Sequence, residues 1–63
     1  MDDLQILYVI QCTISGSIGR TEMSMARERA TDIAAALSYT YDEVHIYEVH
    51  IKECIRIATI SSL

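Results

Sequence analysis

Two histidines and one cysteine are the side chains whose chemistry would be most distinctive if they met. His50 and Cys54 are separated by three residues, a spacing at which two metal ligands, or a histidine and a thiolate, can approach each other. His45 and His50 point to opposite faces if they lie on one strand, so they cannot share an ion. Two ligands do not complete a zinc site, and no third group accompanies the pair. We therefore expect no metal, no cofactor and no catalytic residue.

A second candidate site is the segment Gly-Ser-Ile-Gly-Arg-Thr between a predicted strand and a predicted helix. Backbone amides in that position can bind phosphate or another anion. The two glycines are separated by two residues instead of four, and an arginine stands where a phosphate loop has lysine. A strand-to-helix loop that binds no ligand therefore remains the alternative to an anion or nucleotide site. The residues of that site would be Gly16, Ser17, Gly19, Arg20 and Thr21.

Size and charge narrow the function classes further. Nine carboxylates are scattered along 63 residues, which leaves little room for a pocket with paired acid and base groups. The formal net charge of −4 disfavours nucleic-acid binding, which depends on lysine and arginine. No apolar run is long enough to span a bilayer, and the acidic start does not look like a secretory signal. We expect a cytoplasmic protein that is not an enzyme and binds neither nucleic acid nor membrane.

The elements that would position these residues are one strand, one helix and two further strands. Their predicted ranges are 4–14, 21–38, 44–51 and 54–60. Even positions of the first strand are all apolar, and the helix repeats apolar residues at intervals of three and four after Thr21, a candidate N-cap. The β-α-β-β order predicts a single α+β domain with a three-stranded mixed sheet, its first two strands parallel, and one helix on one face.

Side-chain matching predicts how the last two strands meet. A three-residue loop, 51–53, would pair His50 with Cys54 and Ile46 with Ala58; a single long strand stays an alternative. In a reducing compartment Cys12 and Cys54 are expected to be small buried hydrophobes, and a disulfide between them is the alternative.

One helix can cover only one face of the sheet, so we expect the other face to contact a partner. Even positions of the first strand, with Tyr47, Val49, Ile55 and Ile57, are predicted to face the helix. The opposite face is the predicted homodimer interface: Leu7, Val9, Val44, Ile46, Ala58 and Ile60.

The outer helix face predicts contact with a different protein. It is less charged than a solvated helix face usually is, and three arginines outnumber two glutamates between residues 20 and 29. The predicted partner-binding residues are Arg20, Met25, Arg29, Asp32 and Ala36.

The layout resembles that of small accessory proteins of tailed bacteriophages. The resemblance rests on Arg20-Thr21-Glu22, the alanine-spaced helix and the segment from Tyr41 to Val49. It implies a compact acidic dimer that binds a host protein, as host-takeover factors and inhibitors of bacterial defence, anti-CRISPR proteins among them, do. No functional residue carries over, because these proteins share no motif. The sequence thus predicts a protein-binding inhibitor or modulator; a structural subunit of a larger homo-oligomer is the alternative.

Overall fold

The computed structural model describes residues 6–50 and 52–61, which form four strands and one helix. The strands are β1 (Leu7–Ile14), β2 (Ser17–Ser24), β3 (Glu43–Val49) and β4 (Cys54–Ser61), and the helix is α1 (Arg27–Leu37). The sheet order is β2-β1-β3-β4, and every neighbouring pair is antiparallel. The predicted α+β class, with one helix and an open sheet, is confirmed.

The predicted three-stranded mixed sheet is wrong because it omits β2. Glycine, serine and charged residues make 17–24 look like a loop, and the apolar spacing of the helix runs back into it. Ser15 and Gly16 have φ angles of 53° and 81°, which suits a tight turn whose twist matches an antiparallel hairpin. The chain therefore reverses before the helix begins, and β1 and β3 run antiparallel instead of parallel.

The helix is shorter than predicted at its N-terminal end. Thr21 is not its N-cap: it lies in β2 opposite Gln11, and Ala26 occupies the N-cap position without a side-chain hydrogen bond. The Ser24 hydroxyl instead accepts a hydrogen bond from the Ala26 amide at 3.1 Å. At the other end α1 stops at Leu37, one residue before the predicted end.

The core lies between α1 and the two central strands. Tyr8, Ile10 and Cys12 of β1 are buried against Ala30 and Ala34 of α1. The two alanines have no exposed surface, so their small side chains let the helix backbone approach the sheet closely. The pattern of even positions in the first strand thus identifies the covered face of β1.

The side chains of β3 lie on the faces of the sheet opposite to those predicted. Val44 and Ile46 are 0% and 3% exposed and lie on the helix side, because they pair with Cys12 and Ile10. Tyr47 pairs with Val9 on the opposite, open face of the sheet. Val44 and Ile46 therefore cannot form an exposed dimer interface. Ala58 and Ile60 pair with Ile46 and Val44, so they too lie on the helix side, and of the predicted interface only Leu7 and Val9 lie on the open face. Val49, also predicted to face the helix, lies on the open face opposite Leu7.

The predicted register between β3 and β4 is confirmed at one end of the strand pair and wrong at the other. Ile46 pairs with Ala58 as predicted, but a bulge follows between Ile46 and Tyr47. Cys54 consequently pairs with Val49 instead of His50. Ile51, like residues 4 and 5 of the predicted first strand, lies outside the described residues.

Removing volume from the core should destabilise the fold strongly. We expect Ile10→Ala to lower the free energy of unfolding by about 2–5 kcal/mol, because it leaves a cavity at a fully buried site. Ile18→Ala is the matched control: Ile18 is 59% exposed, so a loss of about 1 kcal/mol or less is expected. Urea unfolding followed by circular dichroism measures both values, and equal losses would contradict this description of the core.

Candidate functional site

The helix-facing side of β2 is polar, unlike the helix-facing sides of β1 and β3. Arg20, Glu22 and Ser24 pair with core residues of β1 and therefore lie on the side that α1 covers elsewhere. The buried core is formed by α1, β1 and β3, whereas α1 contacts β2 less extensively, beside the charged side chains of that strand. An open groove remains between α1 and β2.

The floor and walls of this groove, the α1–β2 groove, come from both elements. Arg20 and Glu22 line it from β2, and Ile33, Ala36 and Leu37 line it from α1, around a volume of about 290 Å³. Apolar helix residues thus face a charged strand across an open space. That combination, an apolar centre beside charged groups, is typical of surfaces that contact other proteins.

A second hollow continues along α1 from the same groove. Ile33 and Ala36 line both spaces, and the second one, of about 630 Å³, is completed by Ala26, Glu28, Arg29 and Asp32. Arg29 and Asp32 are separated by three positions, so they lie on the same side of the helix. The groove and the hollow together form one continuous surface across α1.

Arg20 is held in the groove by an ion pair. Its Nε donates to Glu22 Oε2 at 2.6 Å, and both side chains are partly exposed. The hydrogen bond and charge of Glu22 raise the pKa of Arg20, with a smaller contribution from the Tyr41 hydroxyl. Arg20 therefore remains a cation at every physiological pH. Arg29, by contrast, has no ion-pair partner in residues 6–50 and 52–61.

The structure brings four of the five predicted partner-binding residues together. Arg29, Asp32 and Ala36 line the hollow, and Arg20 reaches the groove from β2. Met25, 63% exposed, does not line either space but directly precedes Ala26 at the start of α1.

Sequence reasoning missed three groove residues. Ile33 and Leu37 follow the apolar spacing that predicts a buried helix face, and Glu22 lies within the predicted helix range 21–38. Ile33 and Leu37 stay accessible beside β2, whose helix-facing side is polar. Only the recognition of β2 as a strand could have shown this from the sequence.

The predicted anion loop does not have the geometry that its function requires. Gly16 lies in the hairpin turn, whereas Ser17, Gly19, Arg20 and Thr21 belong to β2. No helix N-terminus follows them directly, since α1 begins at Arg27. The amides that would bind an anion at a helix start are therefore not at this segment.

The histidines lie on opposite faces of the sheet and take part in separate contacts. His45 Nδ1 is 3.0 Å from Thr59 Oγ1 on the open face. His50 Nε2 is 2.8 Å from Glu48 Oε1 on the helix side. Cys54, expected to be buried, is exposed and pairs with Val49, so the predicted pairing of His50 with Cys54 is wrong.

Glu48 is the centre of a polar cluster at the end of β3. Besides His50, its carboxylate accepts a hydrogen bond from the Tyr8 hydroxyl at 3.4 Å and lies 3.9 Å from the Arg27 guanidinium. The His50 hydrogen bond is the main cause that lowers the pKa of Glu48. Within residues 6–50 and 52–61, no three His, Cys, Asp or Glu side chains are grouped so that they could hold a metal ion.

Comparison with known proteins adds no assignment. The chain matches no protein-family model, and neither the search of curated proteins nor that of solved structures finds a similar protein. No helix in residues 6–50 or 52–61 combines the length and the apolar character that a membrane crossing requires.

Acidification should weaken the fold through Glu48. Because its pKa is lowered in the folded state, ionised Glu48 contributes stability above its ordinary pKa of about 4.3 and loses it as the pH falls through the folded value. We expect Glu48→Gln to reduce the loss of stability between neutral and acidic pH. Urea midpoints across that range measure it, with the exposed Glu53→Gln as control. An unchanged pH profile in Glu48→Gln would contradict the role of the cluster.

Proposed function

We propose that this chain is a non-enzymatic protein-binding module that inhibits or modulates a bacterial host or defence protein by occupying part of its surface. The carrying observation is the convergence of Arg20, Arg29, Asp32 and Ala36 on the α1–β2 groove and its hollow. The resemblance to bacteriophage accessory proteins supports the class of target.

The chemistry of the groove describes what it would bind. Ile33 and Ala36 offer an apolar seat for a partner side chain, while Arg29, which has no ion-pair partner among residues 6–50 and 52–61, offers a cation. Arg20 is already paired with Glu22, so it would supply a second cation only partly neutralised. We therefore expect a partner surface that carries a carboxylate beside an apolar side chain.

Charge distribution supports the same partner chemistry. The chain is acidic as a whole, with a formal charge of −4, yet its arginines are concentrated between residues 20 and 29. This polarity orients an acidic partner toward the start of α1 and away from the rest of the protein. Association should accordingly weaken as the ionic strength rises.

Charge reversal in the groove tests the proposal. We expect Arg20→Glu with Arg29→Glu to abolish capture of a partner from a bacterial lysate, because both cations become anions beside Glu22 and Asp32. Lys52→Glu is the matched control. It reverses the charge of one exposed residue in the β3–β4 loop, which is distant in sequence from the groove residues, so this variant should capture the partner normally. Mass spectrometry identifies proteins lost with the first variant only.

Two results would contradict the groove as the binding site. One is equal capture by the double variant and the unmodified protein, with the fold of both verified by circular dichroism. The other is an equal loss of capture in Lys52→Glu, which would indicate a nonspecific charge effect.

We further propose that the chain forms a homodimer. Within the described residues, β2 and β4 each have a strand neighbour on one side only, and unpaired strand edges favour pairing with another chain. The alternative function, a subunit of a larger homo-oligomer, would use both edges. Light scattering distinguishes a closed dimer from a ring or filament by its mass.

A further inference from the structure

The two edge strands of the sheet differ in how well they are protected against pairing. β2 carries Arg20 and Glu22 on the helix side and contains Gly19, whereas both edge strands pair with their neighbour through one irregularity. Inward-pointing charges are a common protection of an edge strand, and glycine weakens a strand. β4 has one charged residue, Arg56, and neither glycine nor proline. The outer edge of β4 is therefore the less protected of the two.

The bulge determines which side chains of β4 lie on each face. Ile55 pairs with Glu48, whose carboxylate contacts Tyr8 of the core, so Ile55 lies on the helix side. Beyond the bulge, Ala58 pairs with the buried Ile46, which places Ala58 on the same side. Ile57, the extra residue, packs against the core as well.

The remaining positions complete a symmetric pattern. Ile60 pairs with Val44 and belongs to the helix side, while Arg56 pairs with Tyr47 and Thr59 contacts His45 on the open face. Helix-side positions are thus 55, 57, 58 and 60, and open-face positions are 54, 56, 59 and 61. The pattern reads the same in both directions from the middle of the strand.

We propose that β4 pairs antiparallel with β4 of a second copy of this chain, over its whole length, around a two-fold axis between Ile57 and Ala58. This deepens the homodimer that the proposed function includes. Position 54 lies opposite 61 of the second copy, 55 opposite 60, 56 opposite 59 and 57 opposite 58. Since directly opposed side chains share a face, this is the register that matches every position of the strand.

Side-chain chemistry favours the same register. On the helix side it opposes Ile55 to Ile60 and Ile57 to Ala58, so each pair is apolar. Ile55 is 43% exposed in the single chain, and α1 packs on the other three strands. The contact therefore covers apolar surface that the helix leaves open.

The single charge of β4 is compatible with this pairing. Arg56 lies opposite Thr59 of the second copy, which places the two arginines about 10 Å apart along the strands. At that distance their repulsion is largely screened at physiological ionic strength. The result is one continuous sheet of two copies, in which both α1–β2 grooves remain at the outer ends.

A disulfide cross-link tests the register. Cys54 is an exposed free thiol, and the proposed pairing places it opposite Ser61 of the second copy. In Ser61→Cys, each of the two opposed thiol pairs can form a disulfide by exchange with oxidised glutathione, which takes up the two electrons and two protons as two glutathione thiols. We expect the covalent dimer of Ser61→Cys to form at least about tenfold faster than that of the unmodified protein, as measured on a non-reducing gel. In the unmodified protein the two Cys54 residues of the proposed dimer lie about 23 Å apart.

The matched control places the same substitution on the other edge strand. Ser17→Cys lies at the start of β2 and should cross-link no faster than the unmodified protein. Equal cross-linking rates in Ser61→Cys and Ser17→Cys would overturn the proposal. Rapid cross-linking of the unmodified protein through Cys54 would overturn it as well, because it requires a different register.

Mass measurement tests the edge itself. We expect Ala58→Glu to shift the protein from dimer to monomer in sedimentation equilibrium, because it places two negative charges beside the two-fold axis. Ile18→Glu, the corresponding change on β2, should leave the dimer intact. A monomeric unmodified protein, or loss of the dimer in Ile18→Glu alone, would overturn the proposal.

Neither measurement involves the bound partner protein. The groove variant with Arg20→Glu and Arg29→Glu is expected to dimerise normally, so failure of the β4 pairing and failure of partner capture are distinguishable. Should Ala58→Glu fail to fold, the Ser61→Cys cross-link still decides between the outcomes.

Discussion

The turn at Ser15 and Gly16 is the constraint on which the rest of this structure depends. Two consecutive residues with positive φ reverse the chain tightly and place β2 beside β1. This reversal makes β1 a central strand, paired on both sides, and returns the chain to the end from which β1 started. The crossover through α1 then delivers β3 antiparallel to β1. The position of β2 at one edge of the sheet and the antiparallel direction of β1 and β3 follow from this turn.

The uneven polarity of the strands explains why the two ends of the sheet differ. α1 packs its alanines on β1 and β3, whose helix-side residues are apolar. On one flank α1 contacts β2 less extensively than β1 and β3, and charged side chains of β2 line the α1–β2 groove. On the other flank β4 presents isoleucines that the helix covers only in part. The proposed partner site and the proposed self-pairing edge therefore lie on opposite flanks of the sheet.

The bulge between β3 and β4 has a similar consequence at a smaller scale. Regular alternation would place Ile57 on the open face, opposite to Ala58. The extra residue brings both onto the helix side, where Ile57 packs against the core. This local irregularity makes the face pattern of β4 symmetric about its midpoint, and the proposed self-pairing depends on that symmetry.

Local patterns were sufficient for the elements whose residues respond mainly to their immediate neighbours. The alternation in β1 identified its buried face, and the alanine spacing indicated a helix over residues that include Arg27–Leu37. The pattern failed for β2, because Ser17, Gly19 and Arg20 have weak strand preference and gain it only by pairing with β1. The pattern also failed to identify the buried face of β3, because both sets of alternating positions contain apolar residues. Val44 and Ile46 belong to one set, and Tyr47 and Val49 belong to the other.

The sequence by itself therefore determined the class of fold, the covered face of the first strand, the helical segment and the arginines near its start. Those features depend on side chains at short, regular spacing, which act through local sterics and the hydrophobic effect. The tertiary structure alone decided the fourth strand, the antiparallel order, the register beyond the bulge and the groove. Each of these depends on which distant residues meet across the sheet, and a one-residue change of register exchanges the two faces of a strand.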